Sequence, residues 1–175
     1  MTPARQDRRR TQRRRWAAVG TVVFAALVPG TVLGVLPYHL AGRRLPAFDG
    51  SAPGQALGLA LVAAGGPLVA DSFVRFAKAA GTPAPTFETE ELVVDGLYKH
   101  VRNPQYVGVI ATLLGESLLY RSRRVFVYAV SAWLSFHVWV VIYEEPRLRR
   151  RFGSAYEHYV RTTPRWVPQR LPAGD

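Results

Sequence analysis

The chain has 175 residues, 49% of them hydrophobic and 20% charged, with a formal net charge of +11, which is material for about one domain. It contains no cysteine, so disulfides, thiolate nucleophiles and cysteine-based zinc or iron–sulfur centres are excluded. Mean hydropathy is close to zero, as in a soluble protein, but the charge is unevenly spread: residues 16–42, 50–70 and 125–143 carry no Asp, Glu, Lys or Arg. A helix of about 20 apolar residues spans a bilayer core, so each run is a candidate membrane span.

Residues 1–15 form a basic arm with seven arginines. Charge alone would suit nucleic acid. A basic block that abuts a long apolar run is instead the usual cytoplasmic flank of a membrane span, so the bilayer rather than nucleic acid is the expected partner. A cleaved signal is the weaker alternative, because the run exceeds the roughly 7 to 15 apolar residues of such signals.

The first span is expected over residues 16–37, kinked at Pro29 and Gly30. Residues 43–53 carry turn chemistry and should lie outside the membrane. A second helix is expected over 54–79. Its small residues, among them Gly58, Gly65 and Gly66, admit close helix contact, and Asp71, Arg75 and Lys78 share one face at its end. A polar loop, 80–103, follows. Asn103 and Pro104 read as a cap and a first-turn proline, opening a third helix over 104–120. At about 16 residues that helix reaches only about 24 Å, so it either crosses a thinned core or is re-entrant. Residues 121–124 should turn tightly into a fourth helix over 125–143.

In the C-terminal segment 144–170, Leu148, Phe152, Ala155, Tyr156 and Tyr159 recur as on one face of a single amphipathic helix lying at the membrane surface, stopped by Pro164 and Pro168. Placing both termini in the cytoplasm puts 18 Lys and Arg residues inside and five outside. The expected fold for 16–175 is therefore an all-α, multi-pass bundle of the cell membrane. It would have about four transmembrane or re-entrant helices and an interfacial helix, and nothing in the pattern specifies an oligomeric state.

No nucleotide-binding glycine fingerprint, Walker A loop or HExxH sequence occurs, and the four histidines are scattered, so no metal site is expected. Two polar clusters border the apolar runs. Glu144 and Glu145 follow a long apolar helix at its carboxyl end, where the macrodipole disfavours carboxylates. Such a broken local rule marks a functional site, unless Arg147 and Arg149 to Arg151 simply pair with these acids. Arg102, Asn103 and Pro104 place a guanidinium beside the free N–H groups of a new helix, which is either an anion site or a plain cap. Glu116, deep in the third helix, should face a partner or a cavity, with the hairpin arginines as the candidate partner. His137 reads as an interhelical hydrogen-bonder.

At these clusters the sequence resembles the integral-membrane S-adenosylmethionine methyltransferases, which include isoprenylcysteine carboxyl methyltransferases and phospholipid methyltransferases. Gly96, Leu97, Tyr98, Arg102, Asn103, Pro104, Tyr106 and Gly108 match the block G-x-Y-x-x-x-R-[HN]-P-x-Y-x-G. Glu144, Glu145, Leu148, Phe152, Gly153, Tyr156 and Tyr159, with Pro164, Arg165 and Pro168 beyond, match the closing block E-E-x-x-L-x-x-x-F-G-x-x-Y-x-x-Y. The resemblance covers about 54–169. It implies methyl transfer from S-adenosylmethionine to a lipophilic or lipidated, membrane-associated acceptor. It implies a cofactor pocket of Glu90, Glu91, Leu92, Val93, Tyr98, Asn103, Pro104, Gln105, Tyr106 and Glu144, with Arg102 and Glu145 as candidate catalytic residues supporting it. Two departures stand out. Val140 occupies the position at which prenylcysteine enzymes carry a substrate-binding arginine, and Asn103 replaces a histidine common in the family. The alternatives are an NADPH-dependent membrane reductase of the sterol-reductase type, whose phosphates would want more basic residues than this loop offers, and a non-catalytic membrane adaptor.

Overall fold

The computed structural model describes residues 27–46, 53–78, 92 and 94–167, and all regular structure among them is helical. The basic arm, the first half of the first expected span and most of the polar loop, including Glu90, Glu91 and Val93, lie outside the described residues.

Helix α1 is Leu27–Leu40, three residues longer at its end than the sequence reading. It is interrupted not at Pro29 and Gly30, where a kink was expected, but by a π-helical turn, Thr31–Val35, which sits where Pro37 would otherwise drive its ring into the carbonyl of Leu33. Helix α2 (Pro53–Lys78) and helix α3 (Pro104–Leu119) match their expected bounds to within a residue or two. The turn between α3 and the next helix is tighter than expected. Only Tyr120, Arg121, at φ 50°, and Ser122 form it, and the Ser122 side chain accepts from the Val125 N–H as the cap of a helix that already begins at Arg123.

That helix, α4, does not stop at residue 143. It runs from Arg123 to Phe152, passing through a second π turn at Val140–Glu144. The turn sits where Pro146 would otherwise drive its ring into the carbonyl of Ile142, so the wider winding lets the helix continue. A second correction concerns the amphipathic segment, which is two pieces rather than one helix. Gly153, at φ 51°, ends α4, and helix α5 (Ser154–Thr162) starts in a new direction.

Helices α2 and α3 form the most extensive interface. They run antiparallel with two glycine crossings. A Cβ on Gly58 would lie 2.9 Å from the Gly115 carbonyl oxygen, and one on Gly65 2.6 Å from that of Gly108. Each pair is seven residues from the next on both helices, so the two backbones touch along a seam that no larger residue would permit. Around this seam Val69, Phe73, Val109, Leu113 and Ala129 form the buried core. Outside it the helices are apolar but uncovered: Phe126, Val127, Val130, Leu134, Val138 and Ile142 of α4 are all exposed. A core helix of a soluble protein would be buried on such faces, whereas a helix facing lipid has no need to be. Among the described residues two helical segments, Gly54–Arg75 and Arg123–Phe152, are long and apolar enough to cross a membrane. The apolar part of the second ends at Tyr143, and the arginines from Arg147 onward lie beyond it.

Candidate functional site

Where α4 leaves its apolar stretch it meets the start of α3 and the chain that follows α5. A 3-10 turn, Gly96–Lys99, leads into this junction and is seated on the end of α2. Arg75, held by Asp71 through contacts of 2.6 and 3.0 Å, lies against Gly96, where a Cβ would overlap the guanidinium. Gly96 also has φ 60°, so glycine is required there twice over. Tyr98 is buried: its hydroxyl meets Ser72, and its carbonyl accepts from the Tyr159 hydroxyl at 2.7 Å. Burial pushes both tyrosine hydroxyls up, so they are fixed neutral anchors.

The centre of the site is a carboxylate between two guanidiniums. Glu145 accepts from Arg102 Nη1 at 3.0 Å and from Arg165 Nε and Nη2 at 2.6 and 3.0 Å. Burial alone would raise its carboxyl, but the hydrogen bond from Arg165 and the charges of both arginines win and hold it below the usual carboxylate range. Arg102 is itself almost fully buried, and its Nε has no hydrogen-bond partner. One charged donor inside the junction is thus left over.

Glu144 points to the other side. Its Oε2 accepts from the Tyr106 hydroxyl at 3.2 Å, and the Tyr106 ring stacks on Phe136 at 4.7 Å. Burial, reinforced by the Glu145 charge, pushes the Glu144 carboxyl up against the opposing hydrogen bond. Two adjacent acids therefore differ in character: one is locked and ionised, the other partly desolvated with a single hydrogen bond to its side chain from a neighbouring residue.

Asn103 occupies the N-cap position of α3, as the sequence suggested, but its side chain does not cap the helix. Its Nδ2 donates to the Arg165 carbonyl at 3.2 Å instead. The start of a 16-residue helix thus follows Arg102 directly in the chain and carries no side-chain cap, leaving its first N–H groups open to an anion. Beneath, Tyr106 and Gln105 border a cavity of about 440 Å³ reaching between α1, α2, α3 and α4, walled mainly by Val32, Phe73, Phe136 and Trp139.

Of the residues singled out in the sequence, Tyr98, Arg102, Asn103, Pro104, Gln105, Tyr106, Glu144 and Glu145 converge here. Leu92 lies apart, lining a groove against α5 with Lys99 and His158. Val140 is buried within the π turn. His137 does accept a hydrogen bond, from Trp166 Nε1 at 3.1 Å, but its partner lies in the non-helical chain after α5 rather than on another helix. Glu116 does not pair with the hairpin arginines, and its Oε2 is buried without a hydrogen bond. The sequence reading did not single out Asp71, Arg75, Tyr159 or Arg165 as site residues. Tyr159 stood inside the closing block and Arg165 just beyond it, and the i, i+4 spacing of Asp71 and Arg75 was visible, but none of these signals said what they would grip.

A family profile described as phospholipid methyltransferase matches residues 54–155. The chain is also similar to two curated proteins. One is the protein-S-isoprenylcysteine O-methyltransferase of Schizosaccharomyces pombe, 35% identical over 78 residues that cover 44% of this chain and 33% of that protein. The other is protein-S-isoprenylcysteine O-methyltransferase B of Arabidopsis thaliana, 32% identical over 82 residues, or 46% of this chain and 41% of that one. The matched region thus spans only about a third to two fifths of these relatives.

Proposed function

Since the chain belongs to the phospholipid methyltransferase family, we propose that it transfers a methyl group from S-adenosylmethionine to a lipophilic or membrane-associated acceptor. The observation that carries this reading is the meeting of Arg102 and the α3 start with Glu144 and Glu145, directly above an apolar cavity that opens among the membrane helices.

The residues suit the cofactor's charges. The unpartnered Nε of Arg102 and the first turn of α3 would take its carboxylate, and Glu144 would take its ammonium. Gln105 and Pro104 complete the helix start, and Glu90, Glu91 and Val93 would close the pocket from the loop, whereas Leu92 faces α5. Bound there, S-adenosylmethionine supplies a methyl group on a sulfonium, a leaving group that needs no protein nucleophile. The protein's task is positioning and exclusion of water. Glu145, saturated by two arginines, positions Arg102. With Val140 apolar and buried, a substrate carboxylate has no cation at that position. In this reading 16–175 is one membrane-embedded domain with both termini cytoplasmic.

Calorimetric titration of the detergent-purified chain with S-adenosylmethionine and with NADPH tests the proposal. Binding of S-adenosylmethionine that is lost in Glu144→Gln supports it. Binding of NADPH alone would replace it with a reductase, and binding of neither by folded protein would leave a membrane adaptor.

A further inference from the structure

After α5 the chain turns back over the site, and four contacts fasten residues 164–166 to two other segments, the entry to α3 and helix α4. The Arg102 N–H donates to the Pro164 carbonyl at 2.8 Å, and Asn103 Nδ2 donates to the Arg165 carbonyl at 3.2 Å. Arg165 sets its two-pronged fork on Glu145, and Trp166 Nε1 donates to His137 Nδ1 at 3.1 Å. Pro164 alone would suffice to stop α5, so ending a helix does not explain this strap.

What the strap holds is the irregular part of α4. The π turn Val140–Glu144 lies between His137 and Glu145, and the strap grips both. A π turn is rarer than the regular helix and persists where its surroundings specify it. Its extra winding sets the direction of Glu144. Arg102 contributes one contact to Glu145, at Oε1, while Arg165 contributes two and alone reaches Oε2.

We propose that Arg165 is a positioning residue: by clamping Glu145 while Trp166 holds His137, it fixes the π turn Val140–Glu144 and so aims the Glu144 carboxylate at Tyr106 and the cofactor. The part concerning the cofactor rests on the function proposed above, and the part concerning the π turn does not. A lysine cannot replace the arginine fully, because a point charge lacks the planar fork that meets both carboxylate oxygens.

The test is hydrogen–deuterium exchange over residues 138–147 of the full chain in detergent, with S-adenosylmethionine titrations of the same samples. The variants are Arg165→Ala, Arg165→Lys, Glu145→Gln and the Glu145→Gln/Arg165→Ala pair, with the exposed Arg161→Ala as control. Expected are faster exchange and at least a tenfold rise in Kd for Arg165→Ala, partial recovery in Arg165→Lys, and a double variant no weaker than Glu145→Gln alone. Arg161→Ala should change neither readout. Unchanged exchange and Kd in folded Arg165→Ala would overturn the proposal, as would additive effects in the double variant. If Arg165→Ala does not fold, Arg165→Lys decides: wild-type exchange and affinity in it would overturn the clamp. If the wild type binds no S-adenosylmethionine but exchange still quickens in Arg165→Ala, the clamp stands and the cofactor assignment falls.

Discussion

Gly65 on α2 and Gly108 on α3 face each other backbone to backbone: a Cβ on Gly108 would stand 2.8 Å from the Gly65 carbonyl oxygen. This crossing holds α3 against α2 and thereby fixes where α3 begins, at the site. Gly65→Val should force the helices apart and cost about 1 to 3 kcal/mol, as overpacking does. Gly66→Ala, one position on, meets nothing within 4 Å and should be neutral or slightly stabilising. Thermal unfolding in detergent checks the contrast. Equal melting temperatures for the two variants would show that the seam does not bear on stability.

Glu144 should show a trade between stability and binding. An acid whose folded pKa is raised contributes stability at low pH that is lost as pH rises through the folded value. Glu144→Gln mimics the protonated form, so it should match the wild type near pH 4 and be the more stable of the two near pH 8. Its affinity for S-adenosylmethionine should nevertheless fall by tenfold or more. Melting curves at both pH values and one titration decide the matter, and a variant that is less stable at high pH would contradict the assignment.

Glu145 should behave oppositely. Its folded pKa is lowered, so its contribution is present above the ordinary carboxylate value of about 4 and disappears as pH falls through the folded value. Glu145→Ala leaves Arg102 buried without its partner and should cost about 3 kcal/mol at neutral pH. The deficit should narrow in acid. A deficit independent of pH would show that packing, not the ion pairs, is what Glu145 supplies.

Gly96→Ala tests the seat of the turn. The substitution strains a backbone at φ 60° and displaces Arg75 from its place against residue 96. Affinity for S-adenosylmethionine should drop severalfold with little change in helix content by circular dichroism. Wild-type affinity in Gly96→Ala would show that the turn does not shape the pocket.

Much of this arrangement could be read from the residues. Uncharged runs located the helices, Asn103 and Pro104 marked the start of α3 to the residue, and the acids just past the apolar run of α4 pointed to the junction with α3. The misreadings share a cause: a local pattern does not reveal what a side chain finds across the fold. Asn103 has the chemistry of a cap, but its Nδ2 donates to the Arg165 carbonyl and its side chain accepts no helix N–H. A helix was expected to end near Tyr143 because polarity changes there. Instead a π turn absorbs Pro146 and carries the helix on. Apolar spacing ran smoothly through Gly153, and only its positive φ breaks the segment in two. Nothing at short range could have announced that Glu145, twenty residues before Arg165, would be held by it.

The most direct measurement is photochemical cross-linking of methyl-labelled S-adenosylmethionine to the full chain in nanodiscs, followed by peptide mapping. Label in the peptides carrying Arg102 to Tyr106 or Glu144 to Arg147, competed away by S-adenosylhomocysteine, is the predicted result. Label confined to other peptides, or none in a folded sample, would contradict the cofactor site.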